Sequence, residues 1–521
     1  MNPFAFGVSP FSPPPRGLPP SIGNGTWKDN LLLMLKTSHT KRGKTFNSLI
    51  DKVVDKPQAS LDLPDMNRLI CACMFHEEVV ALSEILRQEH LQSLHVEPNE
   101  DEIADWNSED LTVALQTLLK AMPDHWRASR LTLSRQCFAP QSCSLLFELL
   151  ARMPELNSLR LISCNVARAN SPLGLPGCPR LPKLENLRLS HMHEAFPLLK
   201  MILAASPQLR KLYLRSNTGF TREQHDSLAL ALKGHAKLNK LALRNLHPSP
   251  GGEALPSYAN EFLAQHNTLT HLDVSDNALT PNACKSLTDA LEDKGTLTSL
   301  SLAGCWPDGD STVRATDLAM LVSLKSLVSL DLSRNQFPAS MAPVLMALVN
   351  HPKLQHLSLD RAAMDGEFAR VLAIVLESNK TLTSLQLPTM DDDLYAPLAE
   401  AMQNNQSLRS LSIRNVETQR RTMNAEDFSR RYPNYEALIE RIARNQEHWT
   451  KRMLADSLAP TEGGMQAFLG HLGNVKPNHV PVDVARYAAQ IALEMNGKDA
   501  RVLALLDKSA QKKALEALER Q

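Results

Sequence analysis

The 521-residue sequence predicts an α/β solenoid, with parallel inner strands and outer helices alternating along a stack of coils. Three observations carry that prediction. A beat of the form L-x-x-L-x-L, closed by a ninth position, returns every 25–31 residues. Its leading leucines are Leu156, Leu184, Leu209, Leu238, Leu269, Leu297, Leu327, Leu354, Leu382 and Leu408. Between beats the apolar spacing changes from strand-like to helical. Finally, hydrophobic residues make up 43% of the chain but aromatics only 5%. A core built of leucine suits thin stacked coils better than one large globular interior.

The stretch "NTLTHLDVSDNALT" (267–280) shows how one coil works. Alternate side chains of a strand point the same way, so Leu272 and Val274 face inward and His271 and Asp273 face outward. One coil cannot bury its own apolar face, whereas stacked neighbours make a continuous core. At the ninth position the chain turns off the strand, and its backbone groups need partners. An amide or thiol there can supply them, and Cys164, Asn217, Asn277, Cys305 and Asn335 occupy it. Met192, Leu246, Ala362, Met390 and Val416 do not conform, so the polar ladder should break at those coils. Ala128 with Leu131 and Leu133 fits one step earlier, and Leu91, Leu94 and Val96 form a further, isolated start. In the return half, Ala283, Leu287, Ala290 and Leu291 recur at helical spacing, and 339–354 and 394–408 repeat the pattern.

The step near 28 residues and the helical return resemble the ribonuclease-inhibitor type of leucine-rich repeat, over roughly 126–416. That resemblance implies a horseshoe whose concave, strand-lined face binds other proteins. The fold hosts many binding activities, so it does not name one.

The remaining chain divides into three parts. Residues 1–25 are proline-rich, with seven prolines in the first 20, and should be a disordered leader. They lack a charged region followed by an apolar one, so a cleaved secretory signal is not expected. The leader resembles the export leaders of bacterial type III effectors, which would place the protein in a host cytosol. Residues 26–125 and 417–521 carry helical apolar spacing and should cap the ends of the stack or dock partners.

Composition and motifs narrow the function. Fifty-six basic and 56 acidic residues give a net charge of +0, which argues against a general nucleic-acid binder. No run approaches the roughly 20 apolar residues of a membrane span. The eight cysteines show no zinc or CxxC spacing and are read as free thiols. Asn24, Asn379 and Asn405 sit in glycosylation sequons that matter only in a secretory lumen. Gly43-Lys44-Thr45 ends like a P-loop, but Ser38 stands where the first glycine must be, so a basic loop is expected and a nucleotide-dependent switch is disfavoured. The HEEVV stretch at His76 has Val80 in place of a zinc protease's second histidine. His191–Glu194 reads as part of a turn rather than a metal site. Leu63, Pro64 and Ile70 resemble the start of an F-box, such as GALA-type effectors join to leucine-rich repeats, but Met66 departs from it. The last cysteine is Cys305, inside the array, so 417–521 cannot be a cysteine-dependent ubiquitin ligase.

The candidate site is the outward face of the strands. One column reads Arg160, Arg188, Tyr213, Ala242, Asp273, Ser301, Asp331, Ser358, Gln386 and Ser412. Lys211, Arg215, Lys240 and Arg244 flank it early, and Asp276 and Asp360 later. The face should therefore be basic over roughly 156–245 and acidic over roughly 271–361, with Tyr213 as an anchor. The sequence thus reads as a monomeric, non-enzymatic scaffold without cofactor or metal that binds a protein partner. The alternative is an adaptor, or a cysteine-independent ligase, in ubiquitin transfer through a helical end.

Overall fold

A computed structural model describes residues 70–71, 73–74, 79–86, 93–96 and 108–457. The last range is interrupted at 124–125, 136, 139, 167–176, 193–194, 218–221, 247–262, 264–265, 278, 293–294, 307–314, 337–341, 363–364 and 414–422. The leader, the P-loop-like stretch, most of the F-box-like stretch, His76 and residues 458–521 lie outside the described residues. The chain forms two compact units, Met1–Leu269 and Thr270–Gln521.

The first unit opens with α1 (Val79–Leu86), β1 (Ser93–Val96), α2 (Ser108–Ala121) and β2 (Arg130–Ser134). It continues through α3 (Pro140–Ala151), β3 (Ser158–Ile162), β4 (Asn186–Ser190), α4 (Phe196–Ala205), β5 (Lys211–Arg215), α5 (Arg222–Leu232) and β6 (Lys240–Arg244). Each strand pairs in parallel with the next, leucine against leucine: Leu94 with Leu131, Leu131 with Leu159, Leu159 with Leu187, Leu187 with Leu212, Leu212 with Leu241. The isolated start at Leu91 is thus a coil of the same sheet.

The second unit repeats the plan. It comprises β7 (His271–Asp273), α6 (Pro281–Leu291), β8 (Ser299–Ser301), α7 (Ala315–Val322), β9 (Ser329–Asp331), α8 (Ala342–Met346), β10 (His356–Ser358), α9 (Gly366–Ser378), β11 (Ser384–Gln386), α10 (Ala396–Ala401) and β12 (Ser410–Ser412). Its strands are also parallel and in leucine register. The helices start where local chemistry favours them. Pro281 opens α6 behind Thr280, whose hydroxyl accepts from the Ala283 N–H at 3.3 Å. Asp365 caps α9 by accepting from the Phe368 N–H at 2.7 Å. Two further helices, α11 (Ala425–Arg431) and α12 (Pro433–Ser457), are the last described elements of this unit. The Asp392 carboxylate accepts from the N–H groups of Asn434 and Tyr435, both at 3.1 Å, and so caps α12 from another element. Further along α12, Asn445 donates to the carbonyls of Asn405 and Leu408, and Arg409 stacks on Trp449 at 4.4 Å. α12 thus covers the last coil and meets backbone groups that a following coil would otherwise satisfy.

The leading, fourth and sixth residues of the beat form the core. Leu269, Leu272 and Val274 are buried, as are their counterparts in neighbouring coils. Leu411, in the last coil, is only half-buried.

Two polar ladders satisfy the turns. At the ninth position Asn335 donates to the carbonyls of Leu302 and Leu332, both at 2.9 Å, and accepts from the Trp306 N–H at 2.8 Å. Asn217 does the same between Leu189 and Met192, while Asn277 donates to the carbonyls of Val274 and Ser275 in its own turn. The Cys164 thiol donates to Leu133 and the Cys305 thiol to Val274. At Met192, Leu246, Ala362 and Met390 a buried apolar side chain stands in that place and the ladder breaks; Val416 lies outside the described residues. The second ladder lies three residues before the leading leucine. Asn379 donates to Leu348 and accepts from Thr381 and Leu382; Asn405 does likewise with Leu376, Ser407 and Leu408. Asn379 and Asn405, the two sequon asparagines among the described residues, are therefore sealed inside the fold, at 2% and 1% exposure, where an oligosaccharide cannot be attached. His351 holds the same place: its Nε2 bonds the Leu324 carbonyl, and its Nδ1 accepts from the Leu354 N–H at 3.0 Å.

The residue before the ninth position turns left-handed in coil after coil. Arg135, Ser163, His191, Ser216, Asn245, Asp276, Arg334 and Arg361 all have φ between 48° and 61°, and Gly304 has φ 66°. Left-handed backbone costs roughly 1–2 kcal/mol for a side chain with a Cβ. The stacking offsets it: the Ser163 N–H donates to Ser190 at 2.7 Å, His191 to Arg215 at 2.7 Å, Asp276 to Ala303 at 2.7 Å and Arg334 to Asp360 at 2.8 Å, each into the following coil.

Leu272→Ala should cost about 2–5 kcal/mol as a core truncation. Asn335→Ala should cost about 1–3 kcal/mol by orphaning buried turn groups. Urea titration measures both, and a loss below about 0.5 kcal/mol at either site contradicts these placements. The histidine ladder gives a pH dependence. Burial lowers the His351 pKa, so the fold favours neutral imidazole. The unfolded chain then binds more protons, so this stability is complete above the ordinary histidine value of about 6.5 and is lost as pH falls below it. His351→Asn should keep the turn bonds, as Asn379 and Asn405 do in their coils. It should lose less stability than the parent between about pH 7.5 and 5.5. An equal loss in both proteins would show that His351 does not drive the acid limb.

Candidate functional site: the outward faces of the strands

In the first unit the register brings like charges together. Arg160 lies beside Arg188, Lys211 beside Lys240, and Arg215 beside Arg244. Arg188 also neighbours Tyr213, which sits between Lys211 and Arg215 on its own strand. Arg160 and Arg215 are exposed, and Arg188, Lys211, Tyr213, Lys240 and Arg244 are half-buried. The alternate outward positions of β2 to β6 number fifteen, three on each five-residue strand, and none is acidic. Seven are cationic, because Arg130 at the start of β2 joins the six already singled out. Among the described residues, Arg160, Lys211, Arg215 and Lys240 make no ion pair, and Arg188 bonds only the Ser190 hydroxyl, at 3.2 Å. Two ion pairs between coils of this unit, Glu155–Lys183 at 2.6 Å and Glu185–Arg210 at 3.3 Å, lie at the helix-to-strand edge, and Arg152 pairs with Glu148 at 2.7 Å. Glu155, Lys183 and Glu185 line a groove of about 1,100 Å³ together with Trp126, Arg127, Pro154 and Pro182, so its lining carries two charges of each sign.

The second unit uses its outward residues differently. Asp273 and Asp331 each accept from the N–H two residues on, of Ser275 and Ser333. The Ser301 hydroxyl donates to Asp331 at 3.0 Å and meets Ser275 at 2.8 Å. Ser333, Ser358 and Gln386 form a second chain of hydroxyl and amide bonds. Asp276 binds the Arg334 guanidinium at 2.5 Å, reaching across the coil between them. Gly304 lies beneath that bridge, and a Cβ there would stand 2.6 Å from the Asp276 carboxylate. Asp360 is half-buried, and its carbonyl takes the Arg334 N–H. Three of the four acidic residues singled out from the sequence are therefore engaged in the fold. Sequence reasoning missed Arg130 and the second ladder. The ladder's signal was present as His or Asn three places before the leading leucine, in "HAKL", "HNTL", "HPKL", "NKTL" and "NQSL".

The described residues hold no group of three or more His, Cys, Asp and Glu placed to bind a metal. His191 sits on a left-handed turn, and His193 and Glu194 lie outside the described residues. The seven cysteines whose thiols are described form no disulfide. Burial pushes the Cys143 thiol up to about 11 and Cys178 up to about 12, and Cys305 is raised as well. These thiols stay protonated and unreactive near neutrality. No described helix is long and apolar enough to cross a membrane.

This arrangement defines a leucine-rich-repeat protein. No family model matches the chain. Part of it is 31% identical over 191 residues to "NACHT, LRR and PYD domains-containing protein 4C" of Mus musculus, a match covering 36% of this chain and 19% of that protein. It is 32% identical over 174 residues to "NACHT, LRR and PYD domains-containing protein 13" of Homo sapiens, covering 32% and 16%. The matches thus span less than a fifth of the length of these relatives. Among solved structures, the TLR13–ssRNA13 complex aligns at TM-score 0.34 and 17% identity, covering 58% of this chain and 50% of that one. The tropomodulin C-terminal domain of Caenorhabditis elegans aligns at TM-score 0.24 and 16% identity, covering 38% and 96%.

Gly304→Ala should destabilise the second unit by at least the roughly 1–2 kcal/mol of a left-handed Cβ, and should displace the Asp276–Arg334 bridge. Arg334→Ala in the Gly304→Ala background should then cost less than Arg334→Ala alone. Additive losses in that double-mutant cycle would show that the glycine and the bridge are independent.

Proposed function

We propose that the chain is a non-enzymatic scaffold that recognises a protein partner through the outward faces of its strands, in the manner of ribonuclease-inhibitor-type repeats. The supporting observation is the contrast between the units. In the second, outward polar residues bond one another; in the first, Arg160, Lys211, Arg215 and Lys240 make no ion pair among the described residues. Alternating strands and full helices such as α6 and α9 support the ribonuclease-inhibitor-type reading. The buried face of α12 is spent on the last coil, which supports a capping role for that helix.

Surface plasmon resonance with a partner captured by the full chain tests the reading. Peripheral charges act mainly through encounter, and a central aromatic mainly through residence time. Arg188→Glu with Arg215→Glu should slow association, more so at low salt, and Tyr213→Ala should speed dissociation. Unchanged kinetics in both variants, with binding lost on deletion of 417–521, would move recognition to the helical end.

A further inference from the structure

We infer that the occupant of the first unit's face is an extended acidic segment of a protein partner, laid across β3 to β6 with Tyr213 beneath its middle. This rests on the docking reading above and names the chemistry of the partner. Three cross-strand pairs of like charge, Arg160–Arg188, Lys211–Lys240 and Arg215–Arg244, surround Tyr213 on three sides. Like charges directly opposite one another repel, so a sheet gains nothing from such a pattern. A ligand that places carboxylates between the members of each pair removes the repulsion. Arginine matches carboxylate with two parallel N–H bonds, and the face has two arginine pairs to one lysine pair.

Size sets the length of the segment. The strands from β3 to β6 lie about 4.8 Å apart, so crossing them spans roughly 14 Å, or about four to five extended residues. The alternative polyanion is a single-stranded nucleic acid. Surfaces that bind one combine cations with a row of aromatics on which successive bases stack. Here the fifteen outward positions hold one aromatic, Tyr213. In the second unit Asp273, Asp276 and Asp331 already have partners, which leaves Asp360 alone among its four outward acids for a basic ligand.

The test is fluorescence anisotropy of the full chain with a labelled peptide of ten glutamates interrupted by one phenylalanine. The comparison ligands are the same peptide with lysine for glutamate and a ten-nucleotide oligouridylate. The acidic peptide should bind, weaken as salt rises, and weaken at least tenfold in Lys211→Glu with Lys240→Glu. That change should leave far-UV circular dichroism and the urea midpoint unaltered, because both lysines are on the outward face. Three results overturn the inference: no binding of the acidic peptide, equal binding of the lysine peptide, or tighter binding of the oligouridylate lost in the same variant. Each leaves the docking reading separately answerable, because that reading stands or falls on the Tyr213→Ala dissociation rate with a captured partner. Loss of partner binding in Tyr213→Ala without acidic-peptide binding would mean that the face docks a partner of other chemistry.

Discussion

The structure depends on one constraint: each coil must bury its leucines and still turn twice, and the turns carry backbone groups that water cannot reach. Leucines at three points of the beat drive the stacking. Burial then leaves N–H and C=O groups at both ends of each strand without strand partners. The fold meets this demand between coils. A left-handed residue aims its N–H at the next coil, an amide or thiol at the ninth position bonds the preceding one, and His351, Asn379 and Asn405 do the same at the far turn. Each coil therefore completes its neighbour's hydrogen bonding, and no coil is whole alone. At the last described coil, Asn445 of α12 donates to the carbonyls of Asn405 and Leu408 in place of a following coil.

Most of this was legible in the sequence, for a physical reason. Strand alternation and core burial need leucine at fixed places, so the beat survives any change on the surface. The ninth position also needs a particular chemistry, and Asn217, Asn277, Asn335, Cys164 and Cys305 announce it. The left-handed turn was illegible because it is imposed by stacking rather than by residue type. Arg, Ser, His, Asn, Asp and Gly all adopt it. The second ladder was hidden in plain view: Asn379 and Asn405 read as glycosylation sequons, because the threonine and serine two places on also belong to the turn and cap it.

Outward residues follow another logic. No packing rule fixes them, so a sequence places them in columns but does not reveal whether they are free. The acidic stretch shows the difficulty. Asp331 reads as a surface charge, yet it accepts from a backbone N–H and from Ser301, a hydroxyl 30 residues away. Asp276 and Arg334 stand 58 positions apart and meet only because Gly304 between them lacks a side chain. Those bonds depend on the register of three coils, which only the stack supplies.

In the basic stretch Arg160, Lys211, Arg215 and Lys240 make no ion pair among the described residues, and energetics makes that informative. A like-charge pair across strands costs on the order of 0.2–1 kcal/mol when unscreened, and salt shrinks it further on an open face. Three such pairs are a modest load for a stack whose every coil buries several leucines, so the fold tolerates them without needing them. The second unit shows that the same outward positions can instead hold serines that bond one another across coils. A stack that can be finished in hydroxyls but carries paired arginines and lysines keeps positive charge where its own stability would prefer none. On the proposed docking reading, the first unit is where structure and binding make different demands on the same residues.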